Sequence, residues 1–330
     1  MKAVELTRFG IPHEVCRCVD AADVGAPGDD EVVIEVEACP INPADLLIIE
    51  GRYPGPSELP ARLGIEGVGR VVAVGEGVGA LKAGDRAISL ARTNWAQRIK
   101  LKAAHAIKVP GDADVLQLAM VKVNPPTAMV MLRDYVDLEP GDWVIQNAAN
   151  SAVGGHVIRL AKARGLRTVN LVRRQALVDG LTRIGADVVL VDGDDLAARV
   201  KAATGGADIR LALDAICGQA TLHLADCLAP GGIVVNYGYL SGEPCMIKPD
   251  HTIVGGITLT GFWLVKVLRT MSPAAVQQMY DELSRHIVDG TLQTPVEATY
   301  RIEDIEPALA HAGRQARDGK ILLTPNGPVT

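Results

Sequence analysis

The chain has 330 residues, of which 48% are hydrophobic, 22% charged and only 3% aromatic, with a formal net charge of −6. That length allows roughly two domains with cores of Val, Leu, Ile and Ala, and the acidic balance, with no Lys/Arg cluster among aromatics, disfavours a nucleic-acid surface. No apolar run approaches the roughly 18 residues of a spanning helix, and the opening MKAVELTRFG reads as a strand without a signal or transit segment, so no membrane partner and a cytoplasmic location are expected.

Residues 1 to about 120 are rich in Gly and Pro and carry short alternating apolar runs, such as 32–38 and 71–74, separated by turns at Gly28, at 75–79 and at Gly84. This reads as an irregular β-rich domain. Within it, PINPADLLIIEGRYPG (40–55) brackets a short helical piece with Pro and Gly and exposes Tyr53 on a turn. From about Val121 the pattern changes. NPPTAMVMLRDYVDLEPGD is a helix with Pro near its first turn, where the missing N–H is tolerated, and it ends before Glu139.

The stretch from Trp143 to Arg174, WVIQNAANSAVGGHVIRLAKARGLRTVNLVRR, follows. A short apolar run, a turn of small residues, apolar positions Val153, Val157, Leu160 and Ala161 at helical spacing and a second apolar run make a strand, turn, helix and strand. Such a unit suits a dinucleotide, because the N–H groups and dipole at the helix start favour a pyrophosphate. The turn departs from a three-glycine fingerprint: Asn150 and Ser151 fill the phosphate turn, and Gly154 sits where helix and strand must pack. At the end of the second strand, Arg173 and Arg174 stand where an Asp or Glu would hold a ribose 2′-OH. Two cations there indicate a 2′-phosphate and hence NADP(H).

Alternation then repeats, with strands expected at 188–191, 210–216, 233–238 and 257–262 and helices at 196–203 and 219–228. Repeated strand and helix imply a parallel sheet covered on both faces. The strand ends at Asn147, at Arg173, after Ile216 and at Tyr237 and Gly238 are expected to meet the cofactor, since ligands of such sheets bind at the carboxyl ends. Ser272 caps a helix over 273–289 that Gly290 terminates, and the tail is expected to return to β-like runs ending in GKILLTP. The six cysteines, Cys16, Cys18, Cys39, Cys217, Cys227 and Cys245, lack CxxC pairs and nearby His at zinc spacing. Reduced thiols and no metal are expected. The seven histidines show no spacing that suggests a catalytic triad.

These residues resemble the medium-chain dehydrogenase/reductases in their zinc-free branch, and within it the 2-enoyl thioester reductases; the resemblance spans essentially the whole chain. Zinc alcohol dehydrogenases of that superfamily carry a GHE motif, whereas GIE here puts Ile65 at the histidine position. INxxD and GxYP, with Asn42, Asp45 and Tyr53, are shared across the zinc-free branch; VNPPTA (123–128), QNAANSAVG (146–154) and TGFWL (260–264) resemble the enoyl thioester reductases. The resemblance implies a Rossmann-type doubly wound parallel α/β domain over 122–266 and a β-rich GroES-like catalytic domain over 1–121 and 267–330. It places NADP(H) contacts on Asn124, on Asn150, Ser151, Ala152 and Val153, on Arg173, Arg174 and Gln175, on Tyr237, Gly238, Tyr239 and Leu240, on Phe262, Trp263, Leu264 and Val265, and on Lys320. Ala152 and Tyr239 stand where glycine is common, and Gln175 where a further Arg is common.

The implied reaction belongs to fatty acid metabolism. Hydride goes to the β-carbon of a 2-enoyl thioester, and the α-carbon then needs a proton, which a phenol with a free pKa near 10 can donate at pH 7. Tyr53 is the candidate acid, with Asn42 and Trp263 lining the substrate path. A quinone or small enone reductase on the same fold, and a non-catalytic nucleotide-binding protein, are the alternatives. An apolar strand, ITLTGF, without protecting Lys or Pro points to a homodimer paired through that edge.

Overall fold

The computed structural model describes residues 1–314 and 317–329. The chain divides into two compact units, Met1–Val123 with Ser272–Thr330, and Asn124–Met271. The resemblance implied boundaries at 121/122 and 266/267.

The first unit opens with β1 (Lys2–Leu6), α1 (Pro12–Val15), β2 (Cys16–Asp20), β3 (Glu31–Pro40), α2 (Pro43–Ile49), β4 (Ala61–Arg62), β5 (Val68–Val74), β6 (Arg86–Ser89), β7 (Arg98–Lys102), β8 (Ala106–Val109) and α3 (Val115–Ala119). Antiparallel pairing runs from β3 through β5 and β6 to β8, β7 pairs with the other side of β3, and β1 sits between β2 and β4 in a smaller sheet. The alternating run in β3 explains this: Val32, Ile34 and Val36 turn inward onto Trp95, Ile99 and Leu101, while Glu31 and Glu35 stay at the rim. Trp95 is fully buried and satisfies its ring N–H by donating to the Pro40 carbonyl at 3.3 Å.

The second unit holds α4 (Asn124–Asp134), β9 (Trp143–Gln146), α5 (Ala152–Ala163), β10 (Arg167–Val172), α6 (Val178–Arg183), β11 (Val188–Val191), α7 (Leu196–Thr204), β12 (Ile209–Asp214), α8 (Gln219–Asp226), β13 (Ile233–Asn236), α9 (Pro249–Ile253), β14 (Thr258–Gly261) and α10 (Leu264–Thr270). All six strands are parallel in the order β11-β10-β9-β12-β13-β14. Counted from β9 this is 3-2-1-4-5-6, the doubly wound order whose switch point lies between the first and fourth strands, here β9 and β12. Leu196, Val200 and Leu224 from α7 and α8 bury one face against Ile145, Val169 and Ala212, and Ile158 and Leu181 from α5 and α6 share a second cluster with Val172. Helices cover both faces, as alternation demanded.

The chain then returns to the first unit with α11 (Pro273–Val288), β15 (Val296–Tyr300), α12 (Ile305–Ala312) and β16 (Lys320–Leu323). The Ser272 hydroxyl accepts from the Ala275 amide at 3.2 Å, and Gly290 leaves α11 at φ +78°. The expected β-like tail is corrected by α12, whose Ile305, Ala308, Leu309 and Ala312 form one buried stripe at helical spacing. The helix from Asn124 also stops at Asp134, short of Glu139. No helix among the described residues is long and apolar enough to cross a membrane.

Candidate active site

In the second unit, β9 ends at the fully buried Gln146 and Asn147, and the chain turns through Ala148 at φ +47° into α5. Ser151 caps that helix, its hydroxyl accepting from the Gly154 amide at 3.1 Å. Helix geometry leaves the amides of Ala152 and Val153 without a partner inside the helix, the arrangement that receives an anion. Gly154 is required by close approach, since a β-carbon there would lie 2.5 Å from the Ala149 carbonyl oxygen. Gln146 reinforces the contact by donating to the Gly154 carbonyl at 3.0 Å and to Asn170 Oδ1 on β10 at 2.7 Å.

Arg173 and Arg174 follow the last residue of β10 directly and are exposed. Among the described residues neither has a carboxylate partner, so both cations are available to a ligand. Gln175 begins a short 3-10 turn beyond them.

The carboxyl ends of β12 and β13 are bound together by Asp214. Its Oδ1 accepts from Asn147 Nδ2 at 2.6 Å and from the amides of Ile216 and Cys217 at 2.9 and 3.1 Å; its Oδ2 accepts from the Thr221 hydroxyl at 2.7 Å and Asn236 Nδ2 at 3.2 Å. Three strand ends are therefore locked into one polar node, which fixes the segment holding Tyr237, Gly238, Tyr239 and Leu240. A β-carbon on Gly238 would lie 2.5 Å from the Ala215 carbonyl oxygen, so this turn too depends on glycine. Tyr239 and Leu240 are half or more exposed. Burial raises the pKa of Tyr237, with Ser151 pulling weakly the other way, and its hydroxyl has no hydrogen bond of good geometry. The Asn124 amide nitrogen is likewise buried without a partner. Orphaned polar atoms at Asn124 and Tyr237 and open amides on α5 are what a polar ligand would satisfy. After β14, Phe262 and Leu264 are buried, Val265 is partly covered and Trp263 is exposed at the start of α10.

In the first unit, Asn42 caps α2. Asp45 accepts from the Asn42 amide at 2.9 Å and the Ile65 amide at 3.0 Å. The Asn42 side chain donates to Glu66 Oε1 at 2.7 Å and accepts from Lys320, while Glu66 Oε2 accepts from the Val123 amide at 3.1 Å. Lys122 donates to the carbonyls of Ile65 and Ala91, and the Tyr280 hydroxyl donates to the Lys122 carbonyl at 2.9 Å. All of these groups are buried, and burial moves their pKa values toward the neutral forms. Asp45 rises to about 7, Glu66 rises, Lys122 falls to about 7 and Lys320 falls. Lys320, expected at the cofactor, is therefore held inside this network by Asn42.

The fold of the same unit positions Tyr53. Just past α2, Gly51 turns the chain at φ +73°, and a β-carbon on Gly55 would lie 2.8 Å from an Ile48 methyl, so residues 51–55 fold back onto the helix. The half-exposed ring of Tyr53 packs against the unit's core. Among the described residues its hydroxyl has no hydrogen-bond partner.

Residues 28–113 match the family described as alcohol dehydrogenase GroES-like domain, and residues 152–285 the family described as zinc-binding dehydrogenase. The chain is 36% identical over 305 residues to the mitochondrial enoyl-[acyl-carrier-protein] reductase of Caenorhabditis elegans, covering 90% of this chain and 88% of that one. The chain belongs to the medium-chain dehydrogenase/reductase family. The Escherichia coli quinone oxidoreductase complexed with NADPH superposes with a TM-score of 0.88 at 26% identity, over 98% of this chain and all of that one. The Etr1p/NADP/crotonyl-CoA complex, of the Candida tropicalis mitochondrial 2-enoyl thioester reductase, superposes with a TM-score of 0.85 at 26% identity over 98% and 99%. As a medium-chain dehydrogenase/reductase with such relatives, the chain is an enzyme of the reductase type, not a non-catalytic nucleotide binder.

Zinc, which one family description names, does not fit the residues around Glu66. Ile65 offers no donor, and the polar neighbours are two lysine side chains and an amide, hydrogen-bond donors and not a zinc ligand set. Among the described residues one group of three potential ligands comes together elsewhere, Asp214, Cys217 and Cys245. Its carboxylate already accepts from five nitrogen and hydroxyl donors.

For this member of the family, sequence spacing missed Gln146, Asn170 and Asp214, and gave Asn147 only as a strand end and not as a partner of Asp214. The available signal was a polar residue at the end of, or inside, an otherwise apolar parallel strand, where burial on both faces obliges it to find a partner. Glu66 and Lys122 were also missed, as were the carboxylate partners of His223, His251 and His311, namely Asp192, Asp226 and Glu297.

Proposed function

We propose that the protein is an NADPH-dependent reductase of the C=C bond of 2-enoyl thioesters. The observation that carries the cofactor is the placement of Arg173 and Arg174, exposed and without a carboxylate partner among the described residues at the end of β10, in the unit whose α5 start is open to a pyrophosphate. The complexes named for the two structural relatives, with NADPH and with NADP and crotonyl-CoA, support the same choice. The enoyl-[acyl-carrier-protein] reductase at 36% identity supports the thioester.

Bound NADPH supplies the hydride that reaches the β-carbon. The chain's residues bind and protonate. Ser151, Ala152 and Val153 receive the pyrophosphate on the α5 start, the two arginines take the 2′-phosphate, and Asn124 and Tyr237 offer buried polar atoms to the rest of the cofactor. The Tyr53 hydroxyl, free of internal partners among the described residues, donates the proton to the α-carbon. Asn42 and Trp263 belong to the substrate path.

A second reading, reduction of a quinone or small enone, is favoured by the E. coli quinone oxidoreductase, which superposes as well as the thioester reductase does. The relative's name is mitochondrial, so the cytoplasmic location expected from the sequence has a mitochondrial alternative that cell fractionation separates. The deciding experiment follows NADPH oxidation with crotonyl-CoA, longer enoyl-CoAs, a free enone and a quinone. The thioester reading requires kcat/KM for an enoyl-CoA to exceed that for the others; a preference for the quinone or enone overturns it.

A further inference from the structure

Cys217 leaves β12 in the left-handed region at φ +72°, where a residue with a β-carbon is strained, and Gly218 follows at φ +62°. Gly218 forms an isolated parallel bridge to Cys245, and its amide donates to the Pro244 carbonyl at 3.1 Å. The bridged residue is the neighbour of Cys217, so the bridge holds the backbones that carry the two cysteines side by side. The two sulfurs and a carboxylate oxygen of Asp214 all lie within 4.8 Å of one another.

The side chains have distinct partners. Cys245 points its thiol at Asp214 Oδ2, 4.0 Å away. The Cys217 thiol donates to the Gly238 carbonyl at 3.2 Å and accepts from Asn236 Nδ2 at 3.2 Å. A thiophilic cation would need the Asp214 carboxylate, and that group is already occupied by Asn147, Thr221, Asn236 and two amides. Two thiols clamped by a backbone bridge, with the carboxylate engaged elsewhere, are instead placed to join each other.

We infer that Cys217 and Cys245 form a dithiol site that closes to an intramolecular disulfide by exchange with a low-molecular-weight disulfide, and that closure disturbs the turn from Tyr237 to Leu240. Cys245 is partly exposed and meets the oxidant first. As its proton passes to solvent, its sulfur attacks one sulfur of RSSR, the S–S bond breaks, and RS⁻ leaves to be protonated as RSH. Cys217 then attacks the Cys245 sulfur, the Cys245–SR bond breaks, and a second RSH departs with the proton that Cys217 gives up. Two thiols are oxidised to one disulfide while RSSR is reduced to two RSH. Burial, reinforced by the Cys245 sulfur, pushes the Cys217 thiol up to about 12, which suits it to resolve a mixed disulfide and not to start the exchange. Once its hydrogen is lost, Cys217 no longer donates to Gly238, and the turn proposed to hold the cofactor loses that tie. This last consequence rests on the NADPH reading of the site.

The experiment treats the purified enzyme with oxidised glutathione, maps cross-linked peptides by mass spectrometry, and separately titrates NADPH by fluorescence. The expected result is a Cys217–Cys245 link, an NADPH Kd raised about fivefold or more, and reversal of both by dithiothreitol. Cys245→Ser abolishes the link and makes the Kd indifferent to oxidised glutathione, whereas Cys217→Ser leaves glutathione on Cys245. Mapping that finds both cysteines still reduced, or glutathione only on other cysteines, overturns the site. A mapped link with unchanged Kd overturns the coupling. If the reduced enzyme binds no NADPH, the cofactor reading and the coupling fail together while the mapped link still decides the dithiol.

Discussion

The side-chain amide of Asn42 donates to Glu66 at 2.7 Å, and its oxygen accepts from Lys320, so one neutral residue bridges a buried acid and a buried base. Both charged groups are more than nine-tenths buried. Removing the bridge leaves each with an unmet polar group, and the cost of that exceeds the worth of either hydrogen bond. Asn42→Ala should lower the unfolding free energy by about 2–4 kcal/mol, read by urea denaturation of the ligand-free protein. A loss confined to substrate KM, with stability intact, would assign Asn42 to the substrate alone.

Lys122 gives the same network a pH signature. Its folded pKa falls to about 7 from 10.5, so between those values the unfolded chain holds a proton that the folded one lacks. Stability from this group therefore rises with pH across that window; the burial penalty is fully present below pH 7 and relieved by about 10.5. Asp45, raised from 3.8 to about 7, acts oppositely, its contribution falling as pH rises from about 4 to 7. Urea titrations from pH 7 to 9 should show a wild-type slope of at most about 1.4 kcal/mol per pH unit that Lys122→Met lacks. Parallel curves for the two proteins would refute the assignment.

Local pattern carried much of both units. The strands at 188–191 and from Trp143, the cap at Ser272 and the stop at Gly290 are all short-range features, legible within one turn or one strand. What stayed hidden depends on distant partners. Asn147, Asp214 and Asn236 sit on three strand ends and become one node only when the sheet order places β12 between β9 and β13. The same applies to Cys217 and Cys245, which a parallel bridge brings together. Helix α12 departs from the β-like tail expected there, because Ile305, Ala308, Leu309 and Ala312 recur at helical spacing.

Arg173 and Arg174 should set cofactor choice. Replacing both with Ala removes two charge-assisted donors to a 2′-phosphate and nothing that NADH needs. The KM for NADPH should rise about tenfold or more, with that for NADH nearly unchanged. Equal weakening of both cofactors in steady-state assays would show that the arginines act on the fold or the pyrophosphate.

Among the described residues the edge strand β14 pairs only with β13, and the preceding Ile253 and Val254 are 80% and 81% exposed. An apolar edge with two bare aliphatic side chains beside it is a pairing surface. Light scattering at micromolar concentration should give a homodimer, and Ile253→Glu with Val254→Glu should raise its dissociation constant at least about tenfold, a cost of 1.4 kcal/mol or more. A wild-type monomer would dispose of the pairing.

Tyr53 is the test of the chemistry. Its ring packs on the core of the first unit while its hydroxyl has no partner among the described residues, so Tyr53→Phe keeps the packing and deletes only a donor. If that hydroxyl protonates the α-carbon, the variant should fold and bind NADPH as the parent does, while turnover of an enoyl thioester falls by about 10² to 10⁴. The solvent isotope effect should shrink or change with it, because the proton would then come from water by another route. A substrate enolate that waits for its proton can also return the hydride or react elsewhere, so single-turnover mixing should reveal dead-end products or a new absorbance that the parent lacks. Turnover within about threefold of the parent corresponds to well under 1 kcal/mol in the barrier. A loss that small is ordinary repacking, and it would mean that solvent and not Tyr53 supplies the proton.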